Sequence, residues 1–268
     1  MLIIKFIIIL KMLKYYNKME TEDFIKIILI VLCITIISVL LIKRFMYFNP
    51  SSTLLPYKEH YQNITQGNLH GWFVKGSNGK VILICHGNAG NISDRQHLID
   101  PLHNMGYSVI IFDYSGYGLS KGIPSENQFY QDASIFMDFA IKEYHKNDII
   151  VYGESIGAPV ASYLVRKYYT PILIIDSGLP NIQKYIKRHF KLLSFLSFLF
   201  SEFDTEKYIN GYRGKILFMH SLNDEVIPYE ITENIRKYST QIINIQGTHS
   251  NRVIPWNEVN QFITNIQS

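Results

Sequence analysis

Cysteine is almost absent from this chain of 268 residues, which carries only Cys33 and Cys85. Cys33 lies inside an apolar N-terminal run and Cys85 inside a strand-like run, so the two offer no disulfide framework. No Cys/His spacing of a zinc site is present either. Charge is also sparse: charged residues make up 18% of the chain, the formal net charge is +4, and the basic residues are scattered. Nucleic-acid binding calls for a basic stripe or a recognisable module, and neither occurs. These absences exclude a disulfide-stapled module and argue against metal and nucleic-acid partners.

A long apolar run is present instead. Residues 24–42 read FIKIILIVLCITIISVLLI, with Lys26 as the one charge, near the start. As a helix this run spans about 28 Å, close to the ~30 Å of a bilayer's hydrocarbon core. It is apolar on every face, which suits lipid better than the one-sided burial of a core helix. The reading is a transmembrane helix over 24–42 and a single-pass membrane protein. Residues 1–23 form an N-terminal segment whose apolar part, 1–13, is too short to span, and Met12 and Met19 are alternative starts. Lys5, Lys11, Lys14 and Lys18 precede the run, whereas Lys43 and Arg44 follow it. That asymmetry favours a type II orientation, with the C-terminal domain on the far side of the membrane. Sequons occur at Asn63 and Asn91. A linker over 43–55 leads to one domain over 56–268, large enough to bury a substantial core unaided.

Within that domain, apolar runs alternate with helical patterns. Strands are expected near 69–75, 80–85, 107–112, 148–152, 171–175, 215–219 and 241–245. Several of these are apolar without alternation, the mark of strands covered on both faces. Helices are expected near 93–104, 125–144, 159–168, 229–238 and 254–266. Alternating strands and helices imply an α/β fold with a mainly parallel central sheet flanked by helices. Chemistry in such sheets gathers at the carboxyl ends of the strands.

The motifs fall at those ends. Gly153-Glu154-Ser155-Ile156-Gly157 follows a strand and precedes a helix, the setting of a nucleophile elbow, and Ser155 is the candidate nucleophile. A serine hydroxyl needs a base and a geometry that lifts it clear of the backbone. His86-Gly87-Asn88-Ala89-Gly90 ends another strand, and its small residues allow a backbone N–H to approach a substrate carbonyl. Asn88 is the expected first oxyanion donor, with Ala89 its rival, and the Ile156 N–H the second donor. His86 reads as a buttress of that loop. Asp224 follows the strand KILFMH, and His249 follows QIINI. The order Ser155, Asp224, His249 supplies nucleophile, acid and base, with Asp176 and Glu225 as rival acids. Such a triad calls for no cofactor.

With these residues placed, the domain resembles the α/β-hydrolase superfamily. Within it, the chain is similar to the BEM46-like membrane-anchored serine hydrolases, which include the ABHD13-, ABHD12- and ABHD17-type enzymes. The likeness rests on HGNAG at 86–90, DYSGYGLSKG at 113–122, PSE at 124–126, GESIG at 153–157, HSLNDEVIP at 220–228 and THS at 248–250. Two positions depart from the family pattern: Ser115 stands where Arg is usual, and Asn127 where Gly is frequent. The resemblance implies an α/β-hydrolase fold, acyl-bond hydrolysis and a membrane anchor. Residues 181–203 occupy the place of a lid-like insertion. There Lys184, Lys187, Arg188 and Lys191 alternate with apolar residues before the run LLSFLSFLF, and Ile182, Tyr185, Ile186, Phe190 and Leu193 keep helical spacing. A basic amphipathic segment of this kind suits a lipid-like acyl ester or thioester as substrate. A peptidase or amidase would use the same triad, and a catalytically silent scaffold would have no need of it.

Overall fold

A computed structural model of the chain describes residues 21–47, 49–200 and 203–265. The short apolar stretch over 1–13 and the alternative starts lie outside those residues. The chain divides into two units, Met1–Phe48 and Asn49–Ser268.

In the first unit, helix α1 runs from Thr21 to Tyr47. Glu22 and Asp23 sit in its first turn, where negative charge suits the helix dipole, and Lys26 pairs with Asp23 at 3.2 Å. Its stretch Thr21–Leu41 has a mean hydropathy of 3.1, and Ile25, Leu29, Ile34 and Leu40 are exposed. Such a surface is stable only in apolar surroundings, so the helix is a candidate membrane span.

The second unit is built on eight strands: β2 Gln62–Gln66, β3 Leu69–Val74, β4 Val81–Cys85, β6 Ser108–Phe112, β7 Ile149–Glu154, β8 Ile172–Asp176, β9 Lys215–Ser221 and β10 Gln241–Ile245. Their order is β10-β9-β8-β7-β4-β6-β3-β2. The pairs from β10 through β6 are parallel, whereas β3 pairs antiparallel with both β6 and β2. A separate parallel pair joins β1, Asn49–Pro50, to β5, Ala89–Gly90. Residues 49 and 50, which read as linker, are thereby stitched to the glycine-rich loop.

Helices cover both faces of the sheet. Ile82, Ile84, Ile111 and Ile150 share one cluster with Leu98, Leu102, Val259 and Phe262, contributed by α2 Gln96–Asn104 and α8 Trp256–Thr264. The alternate residues face α3, Glu126–Glu143, and α4, Gly157–Tyr168. Here Phe112 stacks on Phe136 at 4.6 Å, and Tyr114 on Phe129 at 3.9 Å. Burial of each such ring contributes about 1.5–3 kcal/mol. β4, β6, β7 and β8 are buried along their whole lengths, which is why they read as unbroken apolar runs.

The structure differs from the sequence expectation in the insertion. Helix α5 spans only Ile182–His189, and Phe190, with φ −119° and ψ 64°, breaks it. A 3₁₀ segment, Lys191–Leu199, continues the helical spacing at a tighter pitch. α6, Thr205–Ile209, then leads to β9. The patterns near 93–104 and 229–238 also open on 3₁₀ turns, Ile92–Arg95 and Tyr229–Thr232, before α2 and α7, Glu233–Tyr238.

Parallel pairing aligns the strand ends. Cys85 lies opposite Gly153, Glu154 opposite Asp176, Asp176 opposite Met219, and Ser221 opposite Ile245. Every candidate residue therefore leaves the sheet from the same edge.

Candidate active site

Ser155 follows β7 directly and holds φ at +52°, a left-handed conformation that costs about 1–3 kcal/mol. The surroundings fix it: the Ser155 N–H donates to Asp176 O at 2.9 Å, and its carbonyl accepts from Ala158 N at 3.1 Å and Leu179 N at 3.0 Å. The flanking glycines are required by close approach. A Cβ on Gly153 would lie 2.6 Å from Ala158 Cα, and one on Gly157 would collide with the carbonyl oxygen of Cys85.

His249 stands over this elbow. Its Nε2 lies 3.1 Å from Ser155 Oγ, and its Nδ1 lies 2.8 Å from Asp224 Oδ2. Asp224 is 5% exposed, and its Oδ1 accepts from Val226 N at 3.0 Å and Ile227 N at 2.7 Å. Burial pushes its carboxyl up, but the hydrogen bond and charge of His249 and the Ile227 N–H outweigh burial and hold it below the ordinary carboxylate value. An ionised Asp224 requires the His249 Nδ1 to donate, which leaves Nε2 able to accept the Ser155 proton.

The rival acids have other partners. Asp176 is fully buried and receives Arg252 Nε at 2.7 and 2.9 Å and Tyr152 Oη at 2.6 Å. Glu225 accepts the backbone N–H of His249 at 3.1 Å. His220 donates from Nε2 to Ile227 O at 2.7 Å, and burial pulls its pKa below the ordinary histidine value despite nearby Asp224.

The glycine-rich loop is braced from several sides. His86 is buried between Tyr114 and Tyr117, at 4.5 and 5.6 Å between ring centres, and donates from Nδ1 to Gly87 O at 2.7 Å. Burial first, and then the charge of Arg95, lowers its pKa to about 4, so it is neutral at physiological pH. The Asn88 side chain accepts from Tyr117 Oη at 3.0 Å. Ile156 is the N-cap of α4, at the helix end whose first backbone N–H groups have no partner within the helix.

A buried ionic group next to Ser155 has no local signature in the sequence. Glu154 receives Arg95 Nε at 3.0 Å, Gly87 N at 2.9 Å and Arg252 Nη2 at 2.7 Å. In the sequence its members stand only as a glutamate flanking the elbow serine and an arginine three residues after His249. The Asn91 of the second sequon is buried: its amide donates to Ser51 O at 3.1 Å and Thr53 O at 2.8 Å. A glycan on Asn91 is incompatible with this packing.

The chain is similar to several known proteins. Residues 76–212 match the family described as serine aminopeptidase, S33. An uncharacterized protein of Acanthamoeba polyphaga mimivirus is 35% identical over 204 residues, covering 66% of this chain and 69% of that protein. The lysophosphatidylserine lipase ABHD12 of Danio rerio is 29% identical, covering 69% of this chain and 54% of the lipase. An uncharacterized membrane protein of Saccharomyces cerevisiae is 29% identical, covering 80% and 82%. Among solved structures, the esterase Pf2001 of Pyrococcus furiosus superposes with a TM-score of 0.65 at 20% identity, covering 82% of this chain and 98% of that one. The chain thus spans about half of the lipase's length, and its fold is that of the esterase. With its family match covering residues 76–212 and its sheet ordered as described, the chain belongs to the α/β hydrolases of the serine aminopeptidase S33 family.

Proposed function

We propose that this hydrolase is a membrane-anchored serine hydrolase that cleaves a lipid-like carboxylic ester or thioester through an acyl-enzyme on Ser155. The observation that carries the reading is the hydrogen-bonded chain from Ser155 Oγ through His249 to Asp224, at 3.1 and 2.8 Å. In this scheme His249 Nε2 takes the Ser155 proton as Oγ attacks the carbonyl carbon. The N–H groups of Asn88 and Ile156 stabilise the oxyanion, each donor contributing about 2.7–4 kcal/mol. The imidazolium then protonates the departing alkoxide or thiolate, and water, deprotonated by the same nitrogen, releases the acid. Asp224 keeps the imidazole in the right tautomer throughout.

The lipid-like substrate rests on the insertion and the apolar helix. Phe195 and Phe198 are each 69% exposed, beside exposed Lys187, Arg188 and Lys191. Aromatic side chains with basic neighbours suit an interface with acidic headgroups. The insertion also borders the site, because His189 Nε2 donates to Val226 O at 2.9 Å, next to Asp224. The lipase among the relatives supports the same substrate class, and α1 supplies the single-pass anchor. A second reading, amide or peptide hydrolysis by the same triad, is favoured only by the description of the matching family.

Full-length protein in proteoliposomes, assayed on p-nitrophenyl esters from four to sixteen carbons and on matched anilides, separates the two. The expectation is higher kcat/KM for long acyl esters than for short ones, little anilide cleavage, and a loss of roughly 10⁶-fold in Ser155→Ala. Anilide turnover matching that of the esters would favour the second reading, and undiminished turnover in Ser155→Ala would end both.

A further inference from the structure

A buried glutamate beside the elbow serine has no part in the scheme above. Glu154 ends β7 and is 6% exposed, and both of its carboxylate oxygens accept hydrogen bonds. Its Oε2 accepts Gly87 N at 2.9 Å and Arg95 Nε at 3.0 Å, while Arg95 Nη1 donates to Ala89 O at 2.6 Å. Asn88, the proposed oxyanion donor, therefore lies between two backbone positions held through this carboxylate. The other oxygen, Oε1, accepts Arg252 Nη2 at 2.7 Å. Arg252 in turn donates from Nη1 to His249 O at 2.7 Å and from Nε to Asp176. Two carboxylates and two guanidinium groups balance in charge, with Asp94 as a further carboxylate 3.9 Å from Arg95 at the rim. Burial pushes Glu154 up, but Arg95 and Arg252 outweigh it and keep the group ionised.

We propose that Glu154 is a positioning residue that holds the oxyanion loop and the base loop in one geometry, one carboxylate oxygen serving each. A carboxylate can accept on both sides at once, whereas an amide of the same size cannot. Glu154→Gln must therefore turn its NH₂ toward a guanidinium or toward Gly87 N–H, and one loop is released. Displacing a catalytic group by about 1 Å can cost on the order of 10²-fold in rate without touching the substrate groove.

The inference rests on the serine-hydrolase reading, and its test is chosen to fail separately. In the full chain, Glu154→Gln is expected to lower kcat by about 10- to 100-fold with KM changed less than about threefold. It should weaken a trifluoromethyl ketone, which fills the oxyanion position, by the same factor as kcat/KM. Glu154→Asp, which keeps the charge and two acceptors, should recover part of the loss. A Glu154→Gln enzyme with wild-type kcat, or one altered only in KM, overturns the proposal even if its thermal midpoint falls. If Glu154→Gln does not fold, Arg252→Lys decides: it keeps the charge and loses the fork to His249 O, so a wild-type kcat there overturns the proposal. Absence of turnover and of active-site labelling in the wild type would instead mark failure of the hydrolase reading.

Discussion

Asp224 and Asp176 both leave the sheet at strand ends, and from the sequence alone either could have served the histidine. Their partners distinguish them. Asp224 Oδ2 meets the His249 ring at 2.8 Å, whereas Asp176 is bound on both oxygens by Arg252. Asp224→Asn is therefore expected to reduce kcat by roughly 10³–10⁴-fold with the fold intact, because the asparagine selects the wrong imidazole tautomer. Asp176→Asn should act mainly on stability, since it leaves a buried guanidinium undercompensated. Parallel kcat and thermal-midpoint measurements check this, and a larger kcat loss in Asp176→Asn would reverse the assignment. The residues brought together here were legible because each sits in a short motif after a strand. Glu154, Arg95 and Arg252 were not, because their meaning lies in pairings across 59 and 98 positions that no local pattern records. Ser115 shows the same limit. The Ser115 backbone N–H donates to Asp132 Oδ2 at 2.7 Å, and burial pushes that carboxyl above its ordinary value.

Among the elements, legibility followed burial. VILIC, SVIIF, IIVYGE and ILIID are covered on both faces and announce themselves as apolar runs, whereas β2, QNITQ, is a mostly exposed polar edge strand and gave no such signal. The insertion reads as one helical pattern because α-helical and 3₁₀ segments both bring residues three apart together, so spacing alone does not show the break at Phe190. The turn between β7 and α4 is the element with least tolerance. Gly157→Ala drives a methyl into the Cys85 carbonyl, at the start of the glycine-rich loop. A destabilisation of about 1–3 kcal/mol is expected, read as a lowered thermal midpoint with slower turnover. A variant as stable and active as the wild type would contradict the packing described for the elbow.

Across the whole chain, a parallel sheet delivers the candidate groups from β4, β7, β9 and β10 to a single edge, and the protein is a hydrolase of that architecture. The apolar helix α1 and the likeness to a yeast membrane protein point to membrane association. The Asn91 sequon gives no support to a lumenal domain, since its amide holds residues 51 and 53. The central claim is that Ser155, prepared by His249, forms a covalent acyl-enzyme. A fluorophosphonate probe applied to the full-length protein in membranes, followed by peptide mass analysis, tests it most directly. One label per chain is expected on the peptide containing Ser155, none in Ser155→Ala, and labelling slowed by several orders of magnitude in His249→Ala. Labelling that persists in Ser155→Ala, or a folded wild type that takes up no label, would contradict it.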